Sequence, residues 1–325
     1  MATTTATTSG KSRPAIVLGC ANFGSATDPT TKHHTTEQAS ELFATLVRHK
    51  HNVVDTSRRY PPLAGGTSEE LIGSTLRSAA AFPDIKIDTK VLSAPGCHKQ
   101  ENIARSISDS FHALGVDSVR TIYLHYPDRS VPLVEPIKAL SHAVDIGRAE
   151  QWGLSNYTID DVREILRLCD QHGGLVKPAI FQGEYNALNR HSEELIQFLH
   201  ENGIAFYAYS PAAGGALAPT GSRIAAHGPA GDRVRKLYGT EQVQQSIEHV
   251  RDAAEKNGLG GHETAIRWVV WNSMLDGRYG DAVIVGASSA KQLDDTLHAI
   301  NKGPLPDEVN QAIEGIWTSA LKDKA

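Results

Sequence analysis

The sequence has few cysteines, no long apolar run and no marked excess of charge, and each absence excludes a class of protein. Its 325 residues include only Cys20, Cys97 and Cys169, too few and too scattered for a disulfide framework or a cysteine-rich metal site. No apolar run reaches the length of a membrane-spanning helix. The net charge of −5 argues against a nucleic-acid-binding surface. We therefore expect a cytoplasmic protein with neither membrane nor nucleic-acid partners.

Several sequence motifs of binding and catalysis are also missing. No Gly-x-Gly-x-x-Gly follows an apolar run, which disfavours a Rossmann dinucleotide site. No Gly-x-Ser-x-Gly is present, so a serine hydrolase is not supported. The pairs His33-His34 and His49-x-His51 lack a carboxylate or cysteine at ligand spacing, so we predict surface histidines and no metal site.

Eight short apolar runs are present, and each is followed by a longer amphipathic segment. Eight β-then-α units in succession predict parallel strands, and eight is the number that closes an α/β (β/α)8 TIM barrel. The predicted strands are Ala15–Gly19, Asn52–Asp55, Ile85–Val91, Val119–His125, Ala149–Leu154, Ala179–Gln182, Ile204–Tyr209 and Ala282–Val285.

The two ends of the chain and one internal stretch depart from this alternation. Residues 1–13 are rich in Thr and Ala and predict a disordered tail, which leaves residues 14–325 as a single barrel domain. The stretch from Pro211 to Thr240 is rich in Gly, Ala and Pro and predicts a long loop after strand 7. Residues 306–321 predict a last helix outside the barrel.

Four titratable residues lie at or just after the ends of successive predicted strands. They are Asp55, Tyr60, Lys90 and His125. Strand C-termini in such a barrel all face the active-site mouth, so these side chains should meet. A carbonyl that accepts hydride needs a proton and a positive environment, which a Tyr beside Lys and His provides. Singly, Asp55 could cap a turn and Lys90 could be solvated, but the set of four favours catalysis.

The chain resembles an aldo-keto reductase from Ile16 to about Trp317, and most of all the aflatoxin-aldehyde reductase branch. The motifs that carry the resemblance are Asp55-Thr56-x-x-x-Tyr60, Thr89-Lys90, Tyr123-Leu124-His125, Gly153-x-Ser155-Asn156-Tyr157, Gln182-Gly183-x-Tyr185-Asn186, Tyr207-x-Tyr209-Ser210-Pro211 and Gly286-x-Ser288-Ser289. The resemblance implies that Asp55, Tyr60, Lys90 and His125 are catalytic.

The resemblance also implies an extended NADP (NADPH) across the barrel mouth. Ser155, Asn156 and Gln182 would bind the carboxamide, and Tyr209 would stack on the nicotinamide ring. Ser210, Ala213 and Gly214 would line the pyrophosphate. Ser288 and Ser289 would bind the 2′-phosphate at a helix N-terminus, with Gly286 before them, Gln292 near the adenosine and Arg235 as a phosphate contact. Ordinary helix capping is the alternative for Ser288.

Three functions remain open at this stage. The first is an NADPH-dependent reductase of an aldehyde or ketone, a small-molecule carbonyl substrate, in a chain that could form a homodimer. The second is a cofactor-sensing regulatory subunit on the same fold, similar to potassium-channel β subunits. The third is an unrelated barrel enzyme such as a lyase, which the missing metal ligands and phosphate motif disfavour.

Overall fold

The computed structural model describes residues 10–78, 82–218, 229–317 and 321, and within them a closed barrel of eight strands. Each strand pairs in parallel with the next along the chain, and the last pairs with the first. The strands are β1 (Ala15–Gly19), β2 (Val53–Asp55), β3 (Lys86–Val91), β4 (Val119–Leu124), β5 (Ala149–Ser155), β6 (Ile180–Glu184), β7 (Ala205–Tyr209) and β8 (Ala282–Val285). The predicted (β/α)8 barrel is confirmed.

Amphipathic helices follow the strands and bury one face each. They are α1 (Thr36–Arg48), α2 (Thr67–Ser78), α3 (Gln100–Leu114), α4 (Val134–Asp145), α5 (Ile159–Gln171), α6 (Glu193–Glu201), α7 (Pro229–Tyr238), α8 (Glu241–Lys256), α9 (Gly261–Arg267), α10 (Ala290–Ile300) and α11 (Asp307–Ile316). Capping boxes at Thr35 and Thr158 begin α1 and α5, because each hydroxyl accepts an amide of the first turn. None of the described helices combines the length and apolar character needed to cross a bilayer.

The core has two parts, one outside the strands and one inside the barrel. The outer part packs the helices against the strands, as Leu42 of α1 and Trp152 of β5 do. The inner part contains Val17, Tyr123 and Tyr207. It lies inside the barrel, below the C-terminal ends of the strands, where the four predicted catalytic residues lie.

The connection after β7 carries a helix that its composition did not predict. A short 3-10 turn occupies Ala213–Gly215, and α7 follows after residues 219–228, which lie outside the described part. The stretch is so rich in Gly, Ala and Pro that its composition predicts a loop, although α7 within it is amphipathic.

The predicted N-terminal tail lies largely outside the described residues. Within its last residues, Ser12 donates its amide to Asp276 and accepts the amide of Gly277.

Candidate active site

A buried ion pair between Lys90 and Asp55 lies at the centre of the barrel mouth. The Lys90 Nζ donates to Asp55 Oδ1 at 2.6 Å, to Asp55 Oδ2 at 2.8 Å and to the Thr56 carbonyl at 2.8 Å. Lys90 has no exposed surface. All three ammonium hydrogens are therefore satisfied within the protein, and the ion pair is held in one geometry. β2 and β3 bring these residues together because both side chains lie at strand ends.

Tyr60 and His125 lie beside this ion pair. The Lys90 Nζ is 5.0 Å from the centroid of the Tyr60 ring, and the Tyr60 and His125 rings meet edge to face at 5.5 Å. Burial, followed by the charge of Asp55, raises the pKa of Tyr60 above its usual range, and Arg59 opposes the shift. The four predicted catalytic side chains are therefore in one place, with a phenol that keeps its proton at neutral pH.

His125 is neutral, and Ser57 holds its ring in position. Burial, followed by the charges of Lys90 and Arg59, lowers the pKa of His125 well below its usual range. The Ser57 hydroxyl lies 3.1 Å from His125 Nδ1 and accepts the amide of Arg59 at 3.1 Å. The hydroxyl therefore orients the imidazole ring, whose neutral form carries one proton on either Nδ1 or Nε2. Sequence reasoning missed Ser57, whose only signal is its place between Asp55 and Tyr60.

Three of the four predicted nicotinamide-binding residues form one hydrogen-bonded set next to the catalytic candidates, and the fourth contacts Asp55. Tyr209 donates its hydroxyl to Asn156 Oδ1 at 2.9 Å, and Asn156 Nδ2 donates to Ser155 Oγ at 2.9 Å and to the His125 carbonyl at 3.0 Å. Gln182 Nε2 donates to Asp55 Oδ2 at 2.9 Å. Asn156 has a φ of 64°, a left-handed conformation that Asn tolerates. The network fixes these amides at the barrel mouth.

The predicted pyrophosphate-binding residues lie in a turn with repeated left-handed backbone. Ser210, Ala213, Gly214 and Gly215 have φ values of 55°, 50°, 64° and 79°. The amides of Ala213, Gly215 and Ala216 donate to carbonyls within the turn and so hold it in this conformation. Arg251 of α8 donates to the carbonyls of residues 216, 217 and 218 and so holds the chain that follows this turn.

The predicted 2′-phosphate residues lie at the start of α10, after β8. Ser289 is the N-cap, and its hydroxyl accepts the amide of Gln292 at 3.1 Å. Gln292 Oε1 accepts both the amide and the hydroxyl of Ser288, at 2.7 and 2.8 Å. Capping therefore describes Ser289 rather than Ser288, and part of the donor set is engaged within the protein. At Gly286 no described atom lies within 4 Å of the position that a Cβ would occupy, so the backbone there borders open space.

The structure places Arg233, rather than Arg235, next to the nicotinamide-binding set. Arg235 forms an ion pair with Asp232 one turn earlier in α7, on a partly exposed side chain. Arg233 forms an ion pair with Glu184 at the end of β6 and a hydrogen bond with Tyr209. The two arginines are two residues apart on one helix, so only the orientation of α7 distinguishes them, and the sequence alone does not give that orientation.

Comparison with known proteins agrees with this geometry. The model of the aldo/keto reductase family matches residues 15–318. An aldo-keto reductase of Pseudocercospora fijiensis is 36% identical over 85% of this chain and 96% of its own. The oxidoreductase sirO of Leptosphaeria maculans is 35% identical over 95% of each chain. Aflatoxin B1 aldehyde reductase member 2 of Mus musculus is 33% identical over 94% of this chain and 85% of its own. The resemblance to aldo-keto reductases, including the aflatoxin-aldehyde reductases, is confirmed.

Proposed function

The chain belongs to the aldo/keto reductase family, and from that premise we propose that it is an NADPH-dependent reductase of an aldehyde or ketone with Tyr60 as proton donor. The observation that carries the proposal is the meeting of Tyr60, His125 and the Lys90–Asp55 pair at one point of the barrel mouth. Oxidoreductases of the same family among the relatives support a carbonyl-reducing enzyme.

The fit of a nicotinamide dinucleotide rests on three parts of the mouth. Ser155 and Asn156, at the C-terminal end of β5, would bind the carboxamide. The turn with left-handed residues after Tyr209 would lie against the pyrophosphate. The space beside Gly286 allows close approach of a ligand to the backbone. The bound cofactor would supply the hydride.

The protein's own residues would bind and protonate the carbonyl oxygen. His125, which is neutral, would carry its proton on Nε2 and donate a hydrogen bond that orients the oxygen. As negative charge develops there, Tyr60 would transfer its phenolic proton to the oxygen, which is far more basic than a phenolate. Lys90 stabilises the resulting phenolate from beneath the ring, and Asp55 holds the ammonium in position.

Preference for NADPH over NADH is part of the proposal. The first turn of α10 contains no acidic residue that would repel a 2′-phosphate, and its N-terminal amides favour an anion. Ser288, Ser289 and Gln292 would reorganise their mutual hydrogen bonds around that phosphate. A charge-assisted hydrogen bond contributes about 1.5–3 kcal/mol, so NADPH should bind at least about tenfold more tightly than NADH.

The test is turnover with a panel of carbonyl compounds. Purified protein should consume NADPH, followed by loss of its near-ultraviolet absorbance, with at least one aromatic or aliphatic aldehyde or ketone, and titration by tryptophan fluorescence should give the tighter dissociation constant for NADPH. Tight NADPH binding without turnover of any carbonyl would instead support the cofactor-sensing alternative. Equal dissociation constants for the two cofactors would refute the 2′-phosphate site.

A further inference from the structure

Two histidines and one aspartate meet on the outside of the barrel, away from the mouth described above. His49 follows the last residue of α1, and Asp294 and His298 lie one turn apart on α10. One ligand atom from each residue, two ring nitrogens and a carboxylate oxygen, lies within 4.8 Å of the other two. The sequence pattern hid this cluster, because the two segments are far apart in the chain.

The spacing of these atoms suits a transition metal. His49 Nε2 is 2.8 Å from Asp294 Oδ1, and His298 Nδ1 is 3.5 Å from Asp294 Oδ2. Bonds of about 2.0–2.2 Å in a tetrahedral zinc site place neighbouring ligand atoms roughly 3.4 Å apart, so these separations bracket the required value. The side chain of His49 is only 11% exposed, whereas that of His298 is 65% exposed and has room to turn.

The ligand chemistry favours a divalent ion such as zinc or cobalt. Imidazole nitrogens and one carboxylate bind zinc, copper, nickel and iron, whereas calcium and magnesium prefer an all-oxygen set. Asp294 Oδ1 already lies 2.8 Å from both Arg48 Nη2 and His49 Nε2, so the carboxylate faces the other ligands. We propose that His49, Asp294 and His298 form a site for a divalent transition metal that joins the end of α1 to α10.

A competing cation already occupies part of this site. Arg48 donates to Asp294 Oδ1 at 2.8 Å, and its side chain is 59% exposed. Metal binding would displace this guanidinium into solvent and replace the contact between His49 Nε2 and the carboxylate. It would also free the His298 ring from the backbone carbonyl of Asp294, which lies 2.9 Å from His298 Nδ1. The competition makes a specific prediction, because removal of the Arg48 charge should strengthen metal binding.

The test is titration of the full, untagged, chelator-treated chain with Co²⁺ and Zn²⁺, followed by calorimetry and by the visible absorption of bound Co²⁺. One ion per chain should bind, and Zn²⁺ should displace Co²⁺. His298→Ala and Asp294→Asn should each weaken binding by at least about tenfold, and Arg48→Gln should strengthen it by several fold. These changes are at a partly exposed surface, and circular dichroism would verify that each variant is folded.

The matched control is His112→Ala. His112 is exposed and occupies the last turn of α3, as His298 occupies the last turn of α10. This variant should keep the parental affinity and the parental Co²⁺ spectrum. The proposal is overturned if the parent binds neither ion at 100-fold excess over protein, or if His298→Ala and Asp294→Asn bind as tightly as His112→Ala.

Discussion

At the scale of single residues, the pKa of Tyr60 is raised although an ammonium group lies nearby. Lys90 lies 5.0 Å from the Tyr60 ring, but its charge is shared with both oxygens of Asp55. Burial and the Asp55 charge dominate, and the pKa of Tyr60 is raised. The phenol is therefore fully protonated before reaction, and its proton leaves only when a strong base forms on the substrate oxygen.

This protonation state makes reduction insensitive to pH over a wide range. Reduction requires Tyr60 protonated and His125 neutral. Because the pKa of Tyr60 is raised, Tyr60 stays protonated to at least about pH 10. Because the pKa of His125 is lowered, His125 stays neutral when the pH falls through about 6.5, the usual pKa of histidine. We expect kcat/KM for a non-ionising aldehyde to be level between about pH 7 and 10. A fall with a midpoint near pH 8 would show that the acid titrates far below this expectation.

At the scale of elements, the hydrophobic pattern predicted the strands and helices closely, but not the connection after β7. β1 and β8 have the predicted bounds. Period and length identify such elements because they bury one face or both. The turn after Tyr209 depends instead on backbone dihedrals and on a distant arginine, Arg251, which no local pattern indicates.

The support of this turn by Arg251 can be tested by cofactor affinity. Arg251→Gln removes charged hydrogen bonds to the carbonyls of residues 216–218, so the amides of the turn become less ordered. We expect the dissociation constant for NADPH to rise about five- to thirtyfold, the equivalent of about 1–2 kcal/mol. The control is Arg167→Gln, because Arg167 is exposed on α5 and pairs with Glu164. This variant should bind NADPH as the parent does. Equal NADPH affinity in the two variants would show that the turn does not contribute to cofactor binding.

At the scale of the whole molecule, the described residues place the Lys90–Asp55 and Asp88–Arg120 ion pairs inside the barrel. Asp88 and Lys90 are two residues apart on β3, so their side chains lie on the same face of the sheet. Asp88 pairs with Arg120 of β4, and Lys90 pairs with Asp55 of β2. The sequence predicted the charges at the mouth because they lie at strand ends. It did not predict the Asp88–Arg120 pair, because mid-strand charges acquire partners only from the register and tilt of the closed barrel.

The Lys90–Asp55 pair should therefore affect stability as well as chemistry. Lys90→Met leaves the Asp55 carboxylate buried without its cation, which typically costs about 3–5 kcal/mol of unfolding free energy. We expect a lower urea midpoint for this variant, and a partial recovery in Lys90→Met/Asp55→Asn, where the buried charge is removed. An unchanged midpoint in Lys90→Met would mean that the pair contributes nothing to the fold.

The most direct test of the account is turnover by Tyr60→Phe, measured beside its NADPH affinity. The substitution removes one oxygen and keeps the ring that lies against His125 and Lys90. We expect Tyr60→Phe to have an NADPH dissociation constant within about twofold of the parent. Its kcat for carbonyl reduction should be lower by at least about a hundredfold, the usual contribution of a positioned general acid. Reduction at the parental rate, with cofactor binding intact, would contradict the assignment of Tyr60 as the proton donor.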